Sequence, residues 1–306
     1  MSQFSGSGPL VTRRAQARLG IALVAPATVL VLLFFIVPLG NAIYFAVVQF
    51  DGVNPNPPFV GLDNFIQMVG DPVVWRALGN NTIWIAIGTA APLLIGLVIA
   101  LMLWNVGRGS LWYRLAFFIP YILPGVAIGV VWGWIYDPIR GWFNEVLRLI
   151  GLGSVATGWL GNPDTALYAV IATAVWASIG FAIVVFLAAL QSVDADLIDA
   201  ATIDGAGAVQ RTRHVVLPQI MPVFLMVVMV TLIGGFSVFD IIFVMTGGGP
   251  AGATEVLGTY AYSNAFQFNR ISYGTALALL ITLLAIPFTI GLNRLQRRLS
   301  QYRMGA

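Results

Sequence analysis

Six long apolar stretches follow one another along the chain, and each is long enough to cross a lipid bilayer. They run over Leu19–Val48, Ile83–Trp104, Leu115–Tyr136, Ala166–Leu190, Ile220–Met245 and Tyr273–Leu292. A helix of about 22 residues is about 33 Å long, which matches a hydrocarbon core of about 30 Å. Only 9% of the residues are charged, whereas a soluble domain carries about 25%. The sequence therefore predicts an all-α membrane protein, a bundle of six transmembrane helices.

The arginines orient this bundle. Eleven of the fifteen basic residues flank the same set of span ends: Arg13, Arg14, Arg18, Arg108, Arg114, Arg211, Arg213, Arg294, Arg297, Arg298 and Arg303. The positive-inside rule places that side in the cytoplasm. We therefore expect both termini to be cytoplasmic, as a tail over residues 1–18 and a basic tail over 294–306. Between them lie a first transmembrane helix over 19–48, kinked or extended near its prolines, and a core over 78–293.

Three absences limit the chemistry that this chain can perform. There is no Cys and no Lys, and His214 is the only histidine. This composition excludes disulfides, thiolate nucleophiles, lysine-containing phosphate loops and a histidine-based metal cluster. Thr246–Pro250 is therefore expected to be an external turn and not a phosphate loop, and His214 a residue of a cytoplasmic loop. We expect no catalytic residue, no metal site and no nucleic-acid binding.

The polar segment between the fourth and fifth stretches, residues 194–218, is longer than a simple turn requires. Val193, Leu197, Ala200 and Ala201 recur at helical spacing, which predicts a short amphipathic helix. Asp194 and Asp196 would lie in its first turn, where the helix dipole favours negative charge. Gly205 and Gly207 predict a sharp bend, and Pro218 can begin the fifth span. A solvated hairpin and a docking element for a partner both fit this pattern.

A sequence motif separates these two interpretations. The run Asp199-Ala-Ala-x-x-Asp204-Gly205-Ala206, followed by Leu217-Pro218, resembles the EAA loop of binding-protein-dependent ABC importer permeases. Asp199, Val209 and Thr212 depart from the residues most frequent there, which are Glu, Trp and Phe. Further stretches resemble the carbohydrate-uptake branch of that family: Gly61–Phe65, Pro120–Pro124, Trp132-x-Trp134, Trp159–Pro163, Met245–Pro250, Tyr260, Ala265-Phe266 and Tyr273-Gly274. The glycine-rich turn resembles the first-type permeases, which are similar to the maltose and glycerol-phosphate transporter permeases.

The resemblance implies a type I ABC importer permease in the bacterial cytoplasmic membrane, with a cytoplasmic coupling helix. The chain would transport a sugar, expected to be a di- or oligosaccharide, and would hold no cofactor itself. Implied partners are membrane lipid, a second related permease, an extracytoplasmic sugar-binding protein and a dimeric ATPase that binds ATP and Mg²⁺. The residues implied in coupling to that ATPase are Asp199, Ala200, Ala201, Asp204, Gly205, Ala206, Leu217 and Pro218.

The resemblance also places a solute pathway on the fourth and fifth spans. The matching residues are Ser178, Phe181, Thr231, Gly235 and Ser237. Gly234 and Gly235 could open the fifth span locally, although small residues also serve helix packing. Asp240, the only ionisable residue inside a predicted span, is either a pathway residue or a structural one. The tryptophans near span ends, such as Trp84 and Trp134, fit an aromatic belt better than a substrate wall.

Three other functions remain possible on the sequence. A related importer could carry another polar solute, such as glycerol-3-phosphate. An ion-coupled carrier would use Asp240 as its ion site, but such carriers show several buried charges. A membrane enzyme fits least, because no paired acids lie within the apolar stretches.

Overall fold

The computed structural model describes residues 13–104 and 110–304. Arg108 and the predicted tail residues 1–12 and 305–306 lie outside this range, as do the side chains of Arg13, Arg14, Arg298 and Arg303. The described chain is helical. Its α-helices are α1 (Arg13–Val31), α2 (Val37–Ala46), α3 (Asp63–Gly70), α4 (Pro72–Trp104), α5 (Ser110–Ile122), α6 (Gly125–Ile135), α7 (Trp142–Leu149), α8 (Pro163–Leu190), α9 (Ala195–Ile203), α10 (Ala208–Arg211), α11 (Leu217–Phe236), α12 (Asp240–Met245), α13 (Leu257–Tyr262) and α14 (Ile271–Met304).

Short π-helical turns join several of these helices without a break. Leu32–Ile36 links α1 to α2, Thr212–Val216 links α10 to α11, and Ser263–Gln267 follows α13. The predicted first span is therefore one continuous helical path, and neither Pro26 nor Pro38 breaks it. In the same way, Pro218 does not open the fifth span, because the helical path already begins at Ala208.

Five helical segments are long and apolar enough to cross a membrane: Arg18–Ala46, Pro72–Trp104, Pro163–Leu190, Ala208–Phe236 and Ile271–Arg297. The predicted third span is wrong as a single helix. It consists of α5 and α6, which meet at 97° around Leu123 and Pro124, because Pro124 lies outside helical geometry and starts α6 anew. The predicted fifth span is also too long, since α11 ends at Phe236 and α12 is a separate short helix.

The core lies where α4, α8 and α11 pack together. Ile183, Phe186 and Val227 are fully buried there. A Cβ at Gly96 would lie 2.6 Å from the Cβ of Ala182, so α4 can approach α8 closely only because residue 96 has no side chain. The first helical segment, α1 and α2, is by contrast exposed along almost its whole length in this single chain.

The bundle has two ends of different construction. The α9 end carries residues 194–218, which we call the knuckle. The α7 end lies at the other end of α8 and carries α3, α7, the start of α4 and the loop between α12 and α13. Contacts confirm that these elements share one end, because Asn80 of α4 donates to the carbonyl of Glu255 at 2.7 Å, and Tyr273 of α14 donates to Asp71 at 2.7 Å.

Candidate functional site

Two broken helices meet inside the bundle and shape a cavity between them. The break at Leu123–Pro124 separates α5 from α6, and the break at Ser237–Phe239 separates α11 from α12. Gly125 opens α6 directly beside Asp240, which opens α12. A Cβ at position 125 would collide with the Asp240 carboxylate. The two breaks therefore lie at the same level and pack against each other.

The cavity beside these breaks has a volume of about 500 Å³. Its wall combines aromatic rings, hydroxyl groups and small residues from α4, α5, α6, α8, α11 and α12. Of the residues assigned to a solute pathway, Ser178, Phe181, Thr231, Ser237 and Asp240 all line it. The structure thus brings together residues that lie up to 62 positions apart in the sequence.

One aromatic pair gives the cavity a flat wall. The rings of Tyr121 and Phe181 stack with their centroids 5.0 Å apart and their planes 23° apart. Trp84 of α4 lines the same space. Sequence reasoning placed Pro120–Pro124 only within a family motif and assigned Trp84 to an aromatic belt. It missed Tyr121 and Trp84 as cavity residues, because the cavity forms only where α5, α6 and α4 meet.

The serine and threonine hydroxyl groups in the wall all donate within their own helices. Ser178 donates to the carbonyl of Ala174 at 2.8 Å, Thr231 to Val227 at 2.9 Å, and Ser237 to Ile233 at 3.3 Å. Their oxygen lone pairs remain able to accept hydrogen bonds. The cavity therefore offers acceptors next to apolar rings, an arrangement suited to a solute that carries hydroxyl donors.

Asp240 is the only charged side chain among the cavity-lining residues. It does not lie inside a continuous span, as the sequence had suggested, but begins α12 after the break. In the described part of the chain its carboxylate has neither a hydrogen bond nor an ion pair, and it is solvent-exposed. Its position beside Gly125 makes it part of the cavity wall.

The predicted opening of the fifth span at Gly234-Gly235 is not observed. The α11 helix continues through both glycines and ends only at Phe236. Gly235 is buried against α4, where a Cβ would lie 3.0 Å from Cγ1 of Ile85, so it serves helix packing. Gly234 faces the cavity instead. Gly235, which the resemblance assigned to the solute pathway, therefore does not line the cavity, whereas its neighbour Gly234 does.

At the opposite side of the molecule, the knuckle is a tight two-helix turn. Asp194 caps α9 by accepting from the backbone N–H of Asp196 at 3.0 Å. The end of α9 is closed by two bonds, Ala206 N–H to Ala201 O and Gly205 N–H to Thr202 O, a Schellman arrangement. Gly205 adopts φ +80°, which a residue with a side chain rarely adopts. The predicted bend is therefore present, and its left-handed position is Gly205.

The knuckle presents apolar side chains to solvent. Ile203 is 87% exposed, Val209 80% and Leu197 51%. The predicted short helix is present as α9. Of the residues whose spacing predicted it, Leu197 and Ala200 are exposed, whereas Ile198 packs against the core. The assigned residues Asp199, Ala200, Asp204, Gly205 and Pro218 are exposed, and Ala201, Ala206 and Leu217 are half-buried. This surface therefore combines exposed apolar side chains, small residues and carboxylates.

Side chains of α4 clamp the chain after α12 at the α7 end. Asn81 is buried and bridges two elements, since it accepts from the N–H of Leu257 at 2.9 Å and donates to the carbonyl of Gly235 at 3.4 Å. Asn80 donates to the carbonyls of Ala253 and Glu255. The turn Thr246–Pro250 is an external turn between α12 and α13, held by Thr254, and no lysine follows it.

Two acids at the α7 end have opposite pKa shifts. Burial alone would raise the pKa of Asp71, but hydrogen bonds from Tyr273, Tyr260 and the N–H groups of Val73 and Val74 lower it. Burial raises the pKa of Glu255, only partly offset by a hydrogen bond from Thr259. Asp71 therefore holds α13 and α14 to the start of α4 as an ionised acceptor.

The comparisons with known proteins agree with this geometry. Residues 92–301 match the model of a family described as "Binding-protein-dependent transport system inner membrane component". The chain is 32% identical to the trehalose/maltose transport system permease protein MalF of Thermococcus litoralis, over 90% of this chain and 92% of that protein. It is 33% identical to the sn-glycerol-3-phosphate transport system permease protein UgpA of Yersinia pestis, over 92% and 95% respectively.

A solved structure shares the fold. It is described as a bacterial ABC transporter involved in the import of the acidic polysaccharide alginate, and one of its chains superposes with a TM-score of 0.81 at 23% identity. The superposition covers 92% of this chain and 96% of that chain. The bent third span and the broken fifth span thus occur within a known membrane architecture.

Proposed function

The chain belongs to the family of inner membrane components of binding-protein-dependent transport systems, and from this premise we propose that it imports a sugar as one subunit of an ABC transporter. The observation that carries the proposal is the cavity beside the two helix breaks. Its stacked aromatic wall and hydroxyl oxygens match the apolar faces and hydroxyl donors of a sugar ring.

Glycerol-3-phosphate is the second candidate solute, because the relative from Yersinia pestis is named for its transport. A phosphate group is best held by arginine or by helix N-termini. Among the cavity-lining residues of this chain there is no arginine. The helices α6 and α12 both begin at the cavity, but the Asp240 carboxylate lies at the start of α12 and against Gly125 at the start of α6, where it would repel an anion. This arrangement supports an uncharged sugar over an anionic solute, with the specific sugar set partly by the other permease.

The knuckle is the proposed contact for a cytoplasmic ATPase dimer, which binds ATP and Mg²⁺. Exposed Ile203 and Val209 on a turn fixed by Gly205 are a surface that another protein can cover. The arginines near this end, including Arg211 and Arg213, support a cytoplasmic location for it. A second permease and an extracytoplasmic sugar-binding protein complete the proposed assembly, with both termini of this chain in the cytoplasm.

The decisive experiment fills the cavity. Gly234→Leu places a side chain into the cavity, because nothing lies within 4 Å of a Cβ at position 234. Gly133→Leu on α6 is the matched control, since its Cβ also meets nothing within 4 Å and residue 133 does not line the cavity. The assembled transporter is reconstituted with its ATPase and binding protein, and ATP-dependent uptake of labelled maltose and other disaccharides is measured.

We expect Gly234→Leu to abolish uptake of the transported sugar and Gly133→Leu to retain it. Equal uptake by both variants would refute a solute path through this cavity. Uptake that persists without the ATPase but stops when the ion gradient is collapsed would instead support an ion-coupled carrier. In that case Asp240→Asn should stop uptake as well.

A further inference from the structure

The side chains of the short helix α7 fall into three sectors around its axis. Successive residues on a helix are about 100° apart, so Phe143, Asn144 and Leu147 share one side, Glu145 and Arg148 a second, and Trp142 and Leu149 a third. The first sector packs against the protein, the second is charged, and the third is apolar and exposed. A helix at a protein surface in water needs only two sectors, a buried one and a polar one.

The protein-facing sector holds α7 firmly in place. Asn144 is buried, accepts from Nε1 of Trp159 at 2.8 Å and donates to the carbonyl of Thr157 at 3.0 Å. The ring of Phe143 packs edge-on against Tyr136 and Trp159. The direction in which the other two sectors point is therefore fixed by the fold.

The turn that leads into α7 is equally well fixed. The Asp137 carboxylate accepts from the N–H groups of Ile139 and Arg140 at 2.9 Å and 2.7 Å. Gly141 N–H donates to the carbonyl of Asp137, and no side chain fits at position 141 beside that carbonyl. Since α6 ends at Ile135, this turn keeps α7 directly next to the end of a membrane-spanning segment.

Exposed apolar side chains occur on α6, in the turn that follows it and on the apolar sector of α7. Val130 and Trp134 are exposed one turn apart on α6, Ile139 is exposed in the turn, and Trp142 and Leu149 follow at 68% and 84% exposure. Outward apolar residues on a spanning helix contact lipid. Tryptophan is enriched where hydrocarbon meets headgroups, and Trp134 and Trp142 bracket the turn.

The charged sector fits the same location. Glu145 and Arg148 form an ion pair on the surface of α7, so the helix brings no net charge from this pair to the interface. A helix that lies in the plane of the interface turns an apolar face toward the acyl chains and a polar face toward water.

We propose that α7 lies in the headgroup region of the bilayer at the α7 end, with Trp142 and Leu149 in contact with lipid and Glu145 and Arg148 facing water. The partner is a lipid surface, chosen because exposed apolar residues follow one another from α6 through the turn to α7 and because tryptophans lie on both sides of that turn. The proposal goes beyond the proposed transport function and requires only that the chain spans a membrane. It assigns α7 as an anchor for the C-terminal end of α6, the helix whose N-terminal end, at Gly125 and Ile128, borders the cavity.

The absence of cysteine makes a direct test simple. A single cysteine is introduced as Leu149→Cys, Trp142→Cys or Glu145→Cys, spin-labelled, and studied in the assembled transporter in lipid nanodiscs, with the wild-type chain in the same assembly as the background. Collision rates with oxygen, which concentrates in lipid, are compared with those of a water-soluble nickel chelate. Glu145→Cys is the matched control because it lies on the same helix.

We expect oxygen collisions to dominate at positions 142 and 149 and nickel collisions to dominate at position 145. The pattern should not change when the sugar-loaded binding protein is added. Nickel collisions dominating at 149 would show that this face lies in water and would overturn the proposal. Protection of 149 from both reagents would overturn it as well, assigning the face to the second permease, or to the binding protein if protection appears only on its addition.

Discussion

The two ends of the bundle differ in how their connecting segments are held and in which side chains they expose. At the α7 end, loops are tied down by side chains from distant helices, such as Asn81 between α4, α11 and α13, and Asp71 between α4, α13 and α14. At the α9 end, the knuckle bonds almost entirely to itself and exposes Ile203 and Val209. The loops of the first end are held by contacts within this chain, whereas the second end exposes apolar side chains that this chain does not cover.

The two ends should therefore contribute differently to the free energy of unfolding of the chain. Buried bridging hydrogen bonds are costly to lose, while exposed apolar residues on a self-contained turn contribute little to folding of the chain itself. Substitutions at the α7 end should therefore affect folding, and substitutions at the α9 end should affect partnership. The four predictions below test this division, from the largest expected effect on stability to the smallest.

Asn81→Leu should have the largest effect. It leaves the N–H of Leu257 and the carbonyl of Gly235 without their partner in a buried place, which costs about 1–3 kcal/mol for such unsatisfied groups. We expect a clearly lower unfolding midpoint in nanodiscs, followed by tryptophan fluorescence. Thr82→Val is the control, since Thr82 is exposed and bonds only within α4. Equal midpoints for both variants would mean that the α7 end is not held by this bridge.

Gly205→Val should act on coupling more than on insertion. A β-branched residue at φ +80° costs about 1–2 kcal/mol or more relative to a right-handed geometry, enough to lower the equilibrium constant for forming the native turn about tenfold. Uptake and sugar-stimulated ATP hydrolysis should fall by up to that factor, while membrane insertion is retained. Gly207→Val is the control, because Gly207 has φ −68°. Wild-type coupling in Gly205→Val would count against the role of the turn.

The acids Asp71 and Glu255 should give opposite pH dependences. The lowered pKa of Asp71 means that its stabilising contribution is present above its unfolded pKa of about 3.9 and is lost as the pH falls through the lower folded value. The raised pKa of Glu255 means that its contribution is present below its unfolded pKa and is lost as the pH rises through the folded value. Asp71→Asn should reduce stability at neutral pH by about 1 kcal/mol and flatten the acid limb.

Glu255→Gln is the matched variant for this pH experiment. It should leave the acid limb intact and should remove the decline in stability as the pH rises. The measurement is the unfolding midpoint in nanodiscs across pH for the wild type and both variants. A steeper acid limb in Asp71→Asn than in the wild type would contradict the assignment of Asp71 as an ionised acceptor.

Ile203→Ser should have the smallest effect on stability, within about 0.5 kcal/mol for a surface position. Its effect should appear only when the ATPase binds, as weaker association of that subunit in a titration. Val53→Ser is the control, because Val53 is 85% exposed in a loop at the α7 end. If both variants bind the ATPase as the wild type does, the exposed residue at 203 is not part of that contact.

The sequence predicts most of this fold because long apolar runs leave a membrane helix few alternatives. It also predicts the bend at Gly205, since glycine at the end of a short helix has a local cause. The bend between α5 and α6 was not predicted. Pro124 was visible, but prolines are tolerated within membrane helices, as Pro26 is here, so the residue alone does not separate a break from a continuous helix.

The cavity was predicted only in part for a related reason. Ser178, Phe181, Thr231 and Ser237, which the resemblance assigned to a solute pathway, all line one cavity, but their role as solute contacts stays a prediction. Gly234 and Gly235 are adjacent, and which of them faces α4 depends on the rotation of α11, which no local pattern sets. Tyr121 enters the wall only because α5 stops at Ile122.

The continuous helix from Ala208 to Phe236 has a mechanical consequence. Its 29 residues give a rod of about 43 Å, with the knuckle at one tip and Thr231 near the other. A tilt of about 5° about one tip moves the opposite tip by about 4 Å at this length, roughly the thickness of one side chain. A displacement of this size at the end of α11 would reach the cavity wall and, through the bridge that Asn81 makes between Gly235 and Leu257, the start of α13.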